Sequence, residues 1–340
     1  VLGNRVDGWA GKLIDLIAVF ALLAGTATTF SLATPLLAGA ISNVTGIPQS
    51  TGLTLVILVV VCAIYTFSVY FGMKGVQLSA ATCTWLFFGL LAYVFFFGGQ
   101  TRFIIEEGIT ALGNMTQNFI SLATWTDSLR TSSFPQTWTI FYWAYWMVWC
   151  VAVPFFIGSI SKGRTLRQVI LGGYVFGLSG TFTSFIIMGN YGLGLQMHGK
   201  LDVLSAYAAD GNLYQAILDI LGQLPLSKAV LVLLVLCMIT FYSTSFDSIT
   251  MVASTYTYKK LQSDEEPHRN VKLFWAILLM LLPIAYWVNS ICVAVMTGLP
   301  QATHWAIMSF WMAGISVKSI STPMSPRATM TPSASARISR

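Results

Sequence analysis

The sequence predicts an all-α, polytopic membrane helical bundle, and three observations carry that prediction. Of 340 residues, 56% are hydrophobic and only 9% charged, against about 25% charged in soluble domains. The charges are clustered: Asp, Glu, Lys and Arg are absent from 16–73, 75–101, 168–199 and 273–317. Runs of about 20 apolar residues are long enough to cross the hydrocarbon core of a bilayer. Inside lipid the backbone must satisfy its own hydrogen bonds, so those runs are expected to be helices.

Taken in order, the first span is expected over 13–40, where Gly25-Thr26-Ala27-Thr28-Thr29 supplies small residues that allow close helix approach. The second and third are expected over 52–72 and 81–99. Residues 103–123 place Phe103, Ile104, Ile109, Leu112, Met115, Phe119 and Leu122 at helical spacing beside Glu106, Glu107, Asn114 and Gln117. That pattern predicts an amphipathic helix along the outer surface. The fourth and fifth spans follow at 137–160 and 168–190, and residues 201–222 predict a second interfacial helix. Spans six and seven fall at 229–256 and 271–293, with an eighth apolar stretch at 294–315. Residues 1–293 thus form one membrane domain, and 316–340 a Ser/Pro/Thr-rich tail without apolar period, expected to be disordered.

Basic residues gather at Arg5 and Lys12, at Lys74, at Lys162, Arg164 and Arg167, and at Lys259, Lys260, Arg269 and Lys272. If these sides are cytoplasmic, all spans alternate without conflict. The net charge of +6 is accounted for by these flanks and by the tail, and gives no sign of nucleic-acid binding. Cys62, Cys83, Cys150, Cys237 and Cys292 are isolated in apolar segments and read as small core residues. His198, His268 and His304 are scattered without metal spacing, and no acid–base pair or catalytic motif supports an enzyme.

The fourth span carries the most informative motif. From Trp138 to Trp149 it packs seven aromatic rings into twelve residues, within a charge-free stretch from Thr131 to Ser161. Trp138, Tyr142, Tyr145, Trp146 and Trp149 share an arc of roughly 100° on a helix. Interfacial belts explain rings near helix ends, but Tyr145, Trp146 and Trp149 lie two to three turns in. With no carboxylate on the helix, ring faces are left to stabilise a cation that cannot be hydrogen-bonded, a quaternary ammonium, at about 0.5–1 kcal/mol each when exposed and 2 or more when desolvated. The plain alternative is core packing.

Two further groups bear on ion chemistry. Phe241-Tyr242-Ser243-Thr244-Ser245-Phe246-Asp247-Ser248 interrupts the sixth span with hydroxyls and an acid. The hydroxyls either bond back to the helix or, with freed carbonyls, supply hard oxygen ligands to Na⁺. An Asp within a span costs on the order of 2.5–3.5 kcal/mol on insertion scales and is expected to face protein or water.

The run Trp138–Trp149, followed by Ser161-Lys162-Gly163-Arg164, resembles the signature of the betaine/carnitine/choline transporter family over about residues 1–285. The resemblance implies a partial inverted-repeat transporter fold. It also implies that the chain is a piece of a longer protein, without the first four of twelve helices, its seven to eight spans forming the remainder. It implies secondary active transport of a quaternary-ammonium solute (glycine betaine, carnitine or choline) across the plasma membrane, in assemblies that are often homotrimers. Tyr145, Trp146 and Trp149 would form the aromatic box, Tyr145 standing where the family usually has Trp, and Trp138 and Trp143 would lie on the external access path. In sodium-coupled members the positions matching Thr26, the carbonyl of Phe241, Thr244 and Ser245 contribute to sodium sites. Leu22 stands where a companion Thr is usual. Sodium-independent exchangers of the family carry an Arg in the first of these spans, and none occurs between Lys12 and Lys74. Sodium-independent exchange, a non-transporting osmosensor and an inactive fragment are the alternatives. The expected cofactor inventory is a coupling Na⁺ and no organic group.

Overall fold

The computed structural model describes residues 8–258, apart from 72, 133, 151–152, 155–156, 159–160, 162 and 211, together with 266–281 and 284. Among them every regular element is helical. The chain runs α1 (Trp9–Thr45), α2 (Thr51–Tyr70), α3 (Met73–Phe97), α4 (Thr101–Gln117), α5 (Phe119–Thr124), α6 (Ile140–Trp149), α7 (Leu166–Ser184), α8 (Asn190–Met197), α9 (Val203–Asp210), α10 (Leu213–Gly222) and α11 (Ser227–Thr255). Among the described residues, five stretches are long and apolar enough to cross a membrane: Trp9–Thr26, Gly52–Tyr70, Gly75–Phe97, Leu166–Met197 and Ser227–Thr255.

These match the first, second, third, fifth and sixth expected spans. Residues 271–281 of the seventh are helical, while the eighth stretch and the tail lie outside the described residues. The fourth span is described as α6, entered through a π-helical turn at Pro135–Thr139. A second π turn, Phe185–Gly189, joins α7 to α8. Such bulges concentrate at functional sites.

Both expected surface helices form, each in two pieces. Residues 103–123 become α4 and α5, broken at Asn118. Only Ile104 and Gly108 of α4 are buried; its remaining residues line the surface or its edge. The stretch 201–222 becomes α9 and α10. Asn212 caps α10, its side chain accepting from the backbone N–H groups of Tyr214 and Gln215, and Ala216, Leu218 and Leu221 turn inward.

At the centre stands α11, which packs against α1, α2 and α3. The core joins Leu22 and Leu37 of α1, Leu58, Cys62 and Tyr65 of α2, and Tyr242, Phe246 and Ile249 of α11. Tyr65 ties this core to the last described helical stretch by donating to the Ala276 carbonyl at 2.6 Å. The rings of Tyr65 and Phe246 lie 5.4 Å apart. The aromatic helix α6 packs on α1, and Trp149 reaches past it to the same core. In contrast, α7 buries none of its residues.

Candidate solute site in the membrane domain

The spacing on α6 dictates how its rings meet. Residues three and four apart share a helix face, and two stacks result. Trp138 lies on Tyr142 with centroids 6.2 Å apart, and Phe141 lies on Tyr145 at 5.7 Å, nearly parallel at 19°. Trp149 then meets Tyr145 edge-on at 5.9 Å, and Trp146 meets it at 6.4 Å.

One cavity opens beside the inner end of this ladder. It has a volume of about 250 Å³. Tyr145, Trp146, Trp149 and Val153 form one wall; Thr29 of α1 and Ser245, Ser248, Ile249 and Val252 of α11 form the other. The three rings expected to make the box thus border one space. Trp138 and Trp143 do not line it; they are 38% and 70% exposed. Trp149 is half-buried, whereas Trp146 borders the cavity with 62% of its surface open.

A short hydrogen-bonded chain fixes the key ring. Thr29 donates to the Gly25 carbonyl at 2.9 Å, and its oxygen lies 2.7 Å from the Tyr145 hydroxyl. With the single threonine proton committed to Gly25, Tyr145 is the donor to Thr29. Trp in place of Tyr145 has no hydroxyl to make this contact. Ser248 likewise spends its proton on the Thr244 carbonyl at 3.0 Å. Ser245 makes no side-chain hydrogen bond among the described residues, and the buried Trp149 Nε1–H has no acceptor. Aromatic rings and an open hydroxyl therefore border the space. That combination suits a small solute with an apolar, cationic end and an oxygen-bearing end.

The residues expected at an ion site point in several directions. Thr26 is fully buried and donates to the Leu22 carbonyl at 2.7 Å. Thr244 donates to the Thr240 carbonyl at 2.8 Å and faces Ser79 of α3 at 3.4 Å. Phe241 sets its ring edge-on to Phe87 of α3 at 5.4 Å. Only Ser245 of the four opens into the cavity. Thr29 and Ser248 were not singled out from the sequence, although each lies three residues beyond a residue that was. Helical periodicity alone could have added them.

Sequence comparison completes the assignment. Residues 1–315 match the family described as BCCT, betaine/carnitine/choline family transporter. The chain belongs to the betaine/carnitine/choline transporter family. The match extends past the residues 1–285 over which the resemblance was expected and takes in the eighth apolar stretch. Similar proteins include a carnitine transporter of Acinetobacter baumannii, 29% identical over 84% of this chain and 52% of the relative. A probable glycine betaine transporter of Desulfitobacterium hafniense is 30% identical over 82% of this chain and 54% of that protein. A glycine betaine transporter of Bacillus subtilis is 30% identical over 82% of this chain and 53% of its own length. The chain spans about half the length of the curated relatives it matches. Members of the betaine/carnitine/choline family are transporters, and this chain is the multi-pass membrane protein that such a family requires.

Proposed function

We propose that the full-length protein moves a quaternary-ammonium solute, such as glycine betaine, carnitine or choline, across the plasma membrane by secondary active transport. The observation that carries this reading is the cavity where Tyr145, Trp146 and Trp149 face the hydroxyls of Thr29, Ser245 and Ser248. Its volume of about 250 Å³ lies below the roughly 300–1,000 Å³ of sites for drug-sized ligands, in keeping with a solute of few heavy atoms. The cation would rest on the rings, where desolvation raises each contact toward about 2 kcal/mol. The Ser245 hydroxyl is the available donor for a solute oxygen. The names of the relatives support the same solute class.

We further propose sodium coupling, through Thr26, the Phe241 carbonyl, Thr244 and Ser245, and assembly into a trimer; both come from the family resemblance. Because Ser245 borders the cavity, an ion held there would sense the solute directly. Alternating access would rock one helix bundle against the other around the site.

Uptake of labelled glycine betaine, carnitine and choline into proteoliposomes, with and without an inward sodium gradient, tests the assignment. Saturable uptake of at least one of them is expected. Absence of uptake and of binding for all three would overturn the solute class. Thr244→Ala and Ser245→Ala are expected to abolish sodium dependence, and unchanged dependence would refute the ion assignment.

A further inference from the structure

Thr29 of α1 stands where the two walls of the cavity meet, because its oxygen lies 2.7 Å from the Tyr145 hydroxyl. Its own helix sets its conformation. A β-branched threonine has few χ1 states in a helix, and donation to the Gly25 carbonyl at 2.9 Å selects one of them. With that proton spent, Thr29 Oγ1 is left to accept, and the Tyr145 hydroxyl donates to it. Among the described residues this is the one side-chain hydrogen bond that joins α6 to another helix.

Tyr145 has use for such an anchor. The rings that touch it belong to its own helix: Phe141 stacks on it at 5.7 Å, and Trp149 and Trp146 meet it edge-on at 5.9 and 6.4 Å. Contacts within one helix restrain the base of a phenol more than its tip, which swings with χ1 and χ2. A short bond from the tip to α1 removes that freedom and fixes the plane of the ring beside the cavity.

The same bond acts on the electrons of the ring. Tyr145 donates to Thr29 and Thr29 donates to Gly25, a relay of two bonds in one direction. Such relays polarise one another, by about 10–30% per bond. Donation leaves more electron density on the phenol oxygen and so on the ring face, already the negative part of the aromatic quadrupole. A richer face holds a cation more strongly. Direct bonding of Thr29 to a solute oxygen is the competing role. Its proton is spent on Gly25 and one lone pair on Tyr145, so it has nothing to donate to a solute oxygen.

We propose, resting on the cation reading of the cavity, that Thr29 is a positioning residue for the solute. Through the Tyr145 hydroxyl it sets the plane and the electron density of a ring that meets the ammonium. It acts through Tyr145 and not by bonding the solute.

The probe that tests this is tetramethylammonium, which has the cationic end of the solute and no oxygen. Its binding to the purified full-length protein is measured by equilibrium dialysis. Thr29→Val keeps the branched shape and removes the acceptor. It should weaken binding about two- to fivefold, a fraction of one ring contact, and Thr29→Ser should restore it. In a Tyr145→Phe background, which already lacks the hydroxyl, Thr29→Val should change affinity less than about 1.5-fold. If Thr29→Val does not fold, Thr29→Ala and Thr29→Ser make the same comparison. Three results would each overturn the positioning role and leave the solute assignment standing: wild-type affinity in Thr29→Val, an equal loss in the Tyr145→Phe background, or a loss for glycine betaine with none for tetramethylammonium. Wild-type protein that binds glycine betaine, carnitine or choline but not tetramethylammonium would also overturn it, since the rings would not carry the cation. Wild-type protein that binds none of the four would overturn both readings.

Discussion

Replacing Trp149 by Leu keeps an apolar side chain at the cavity wall and removes the ring face. Trp149 is half-buried and packs on Tyr145 at 5.9 Å, within reach of the core. Its contact with an ammonium is therefore largely desolvated and worth about 1–2 kcal/mol. At 1.4 kcal/mol per decade this weakens binding roughly 5- to 30-fold. Trp146, with 62% of its surface open, stays nearer the solvated limit of about 0.5–1 kcal/mol. Trp146→Leu should therefore weaken binding only about 2- to 5-fold. Trp143, 70% exposed and off the cavity, serves as a control and should change affinity less than about twofold. The assay is equilibrium binding of glycine betaine by calorimetry, set against its carbon isostere 3,3-dimethylbutanoate, in which an uncharged quaternary carbon replaces the ammonium nitrogen. Loss of the ring should penalise the cation and spare most of the isostere's affinity. Equal losses for both ligands would show that Trp149 contributes packing alone and would refute the cation–π reasoning.

Three further outcomes follow from the geometry. Tyr145→Phe removes the 2.7 Å contact with Thr29 while Thr29 keeps its bond to Gly25; a loss of about 0.5–1 kcal/mol, near 2 °C in Tm, is expected by differential scanning fluorimetry. Gly98→Ala would set a Cβ 2.5 Å from the Val94 carbonyl oxygen and 2.7 Å from the ring of Tyr191, which is only 1% exposed. Overpacking of about 1–3 kcal/mol should lower Tm, whereas Gly89→Ala, with nothing within 4 Å of its new Cβ, should be neutral or stabilising. Asp202, ahead of α9, has its carboxyl held below the ordinary value by hydrogen bonds from the Ser205 hydroxyl and backbone N–H and from Gln196. A depressed folded value means that its stabilisation of the α9 start is complete above the unfolded carboxylate value and is lost as pH falls through the folded one. Amide exchange at residues 203–206, corrected for intrinsic rates, should therefore show protection that drops only on acidification, and Asp202→Asn should remove that drop.

Much of the fold was legible because lipid imposes a length and a composition on any crossing helix. The positions of α2, α3 and α11, and the run α7–α8, follow from charge-free apolar stretches. The surface helices follow from apolar spacing beside Glu106 and Glu107, although the break at Asn118 does not, since no Pro or Gly marks it. The aromatic ladder was equally readable, as it is a property of one helix. The second wall of the cavity was not. Thr26 and Thr29 are three residues apart and chemically identical, yet one is committed to the core and the other borders the cavity.

By itself, the sequence determined that the chain is a helical membrane domain with a face of rings suited to a methylated cation. Those properties reside in composition and in the period of single helices. Tertiary structure alone decided which hydroxyls complete the cavity, that Thr244 turns toward α3 while Ser245 turns toward the rings, and that Asp247 is sealed against α2. The physical reason is that a helix offers every side chain a direction around its axis. Only the packing of neighbouring helices settles which direction meets solvent, solute or core.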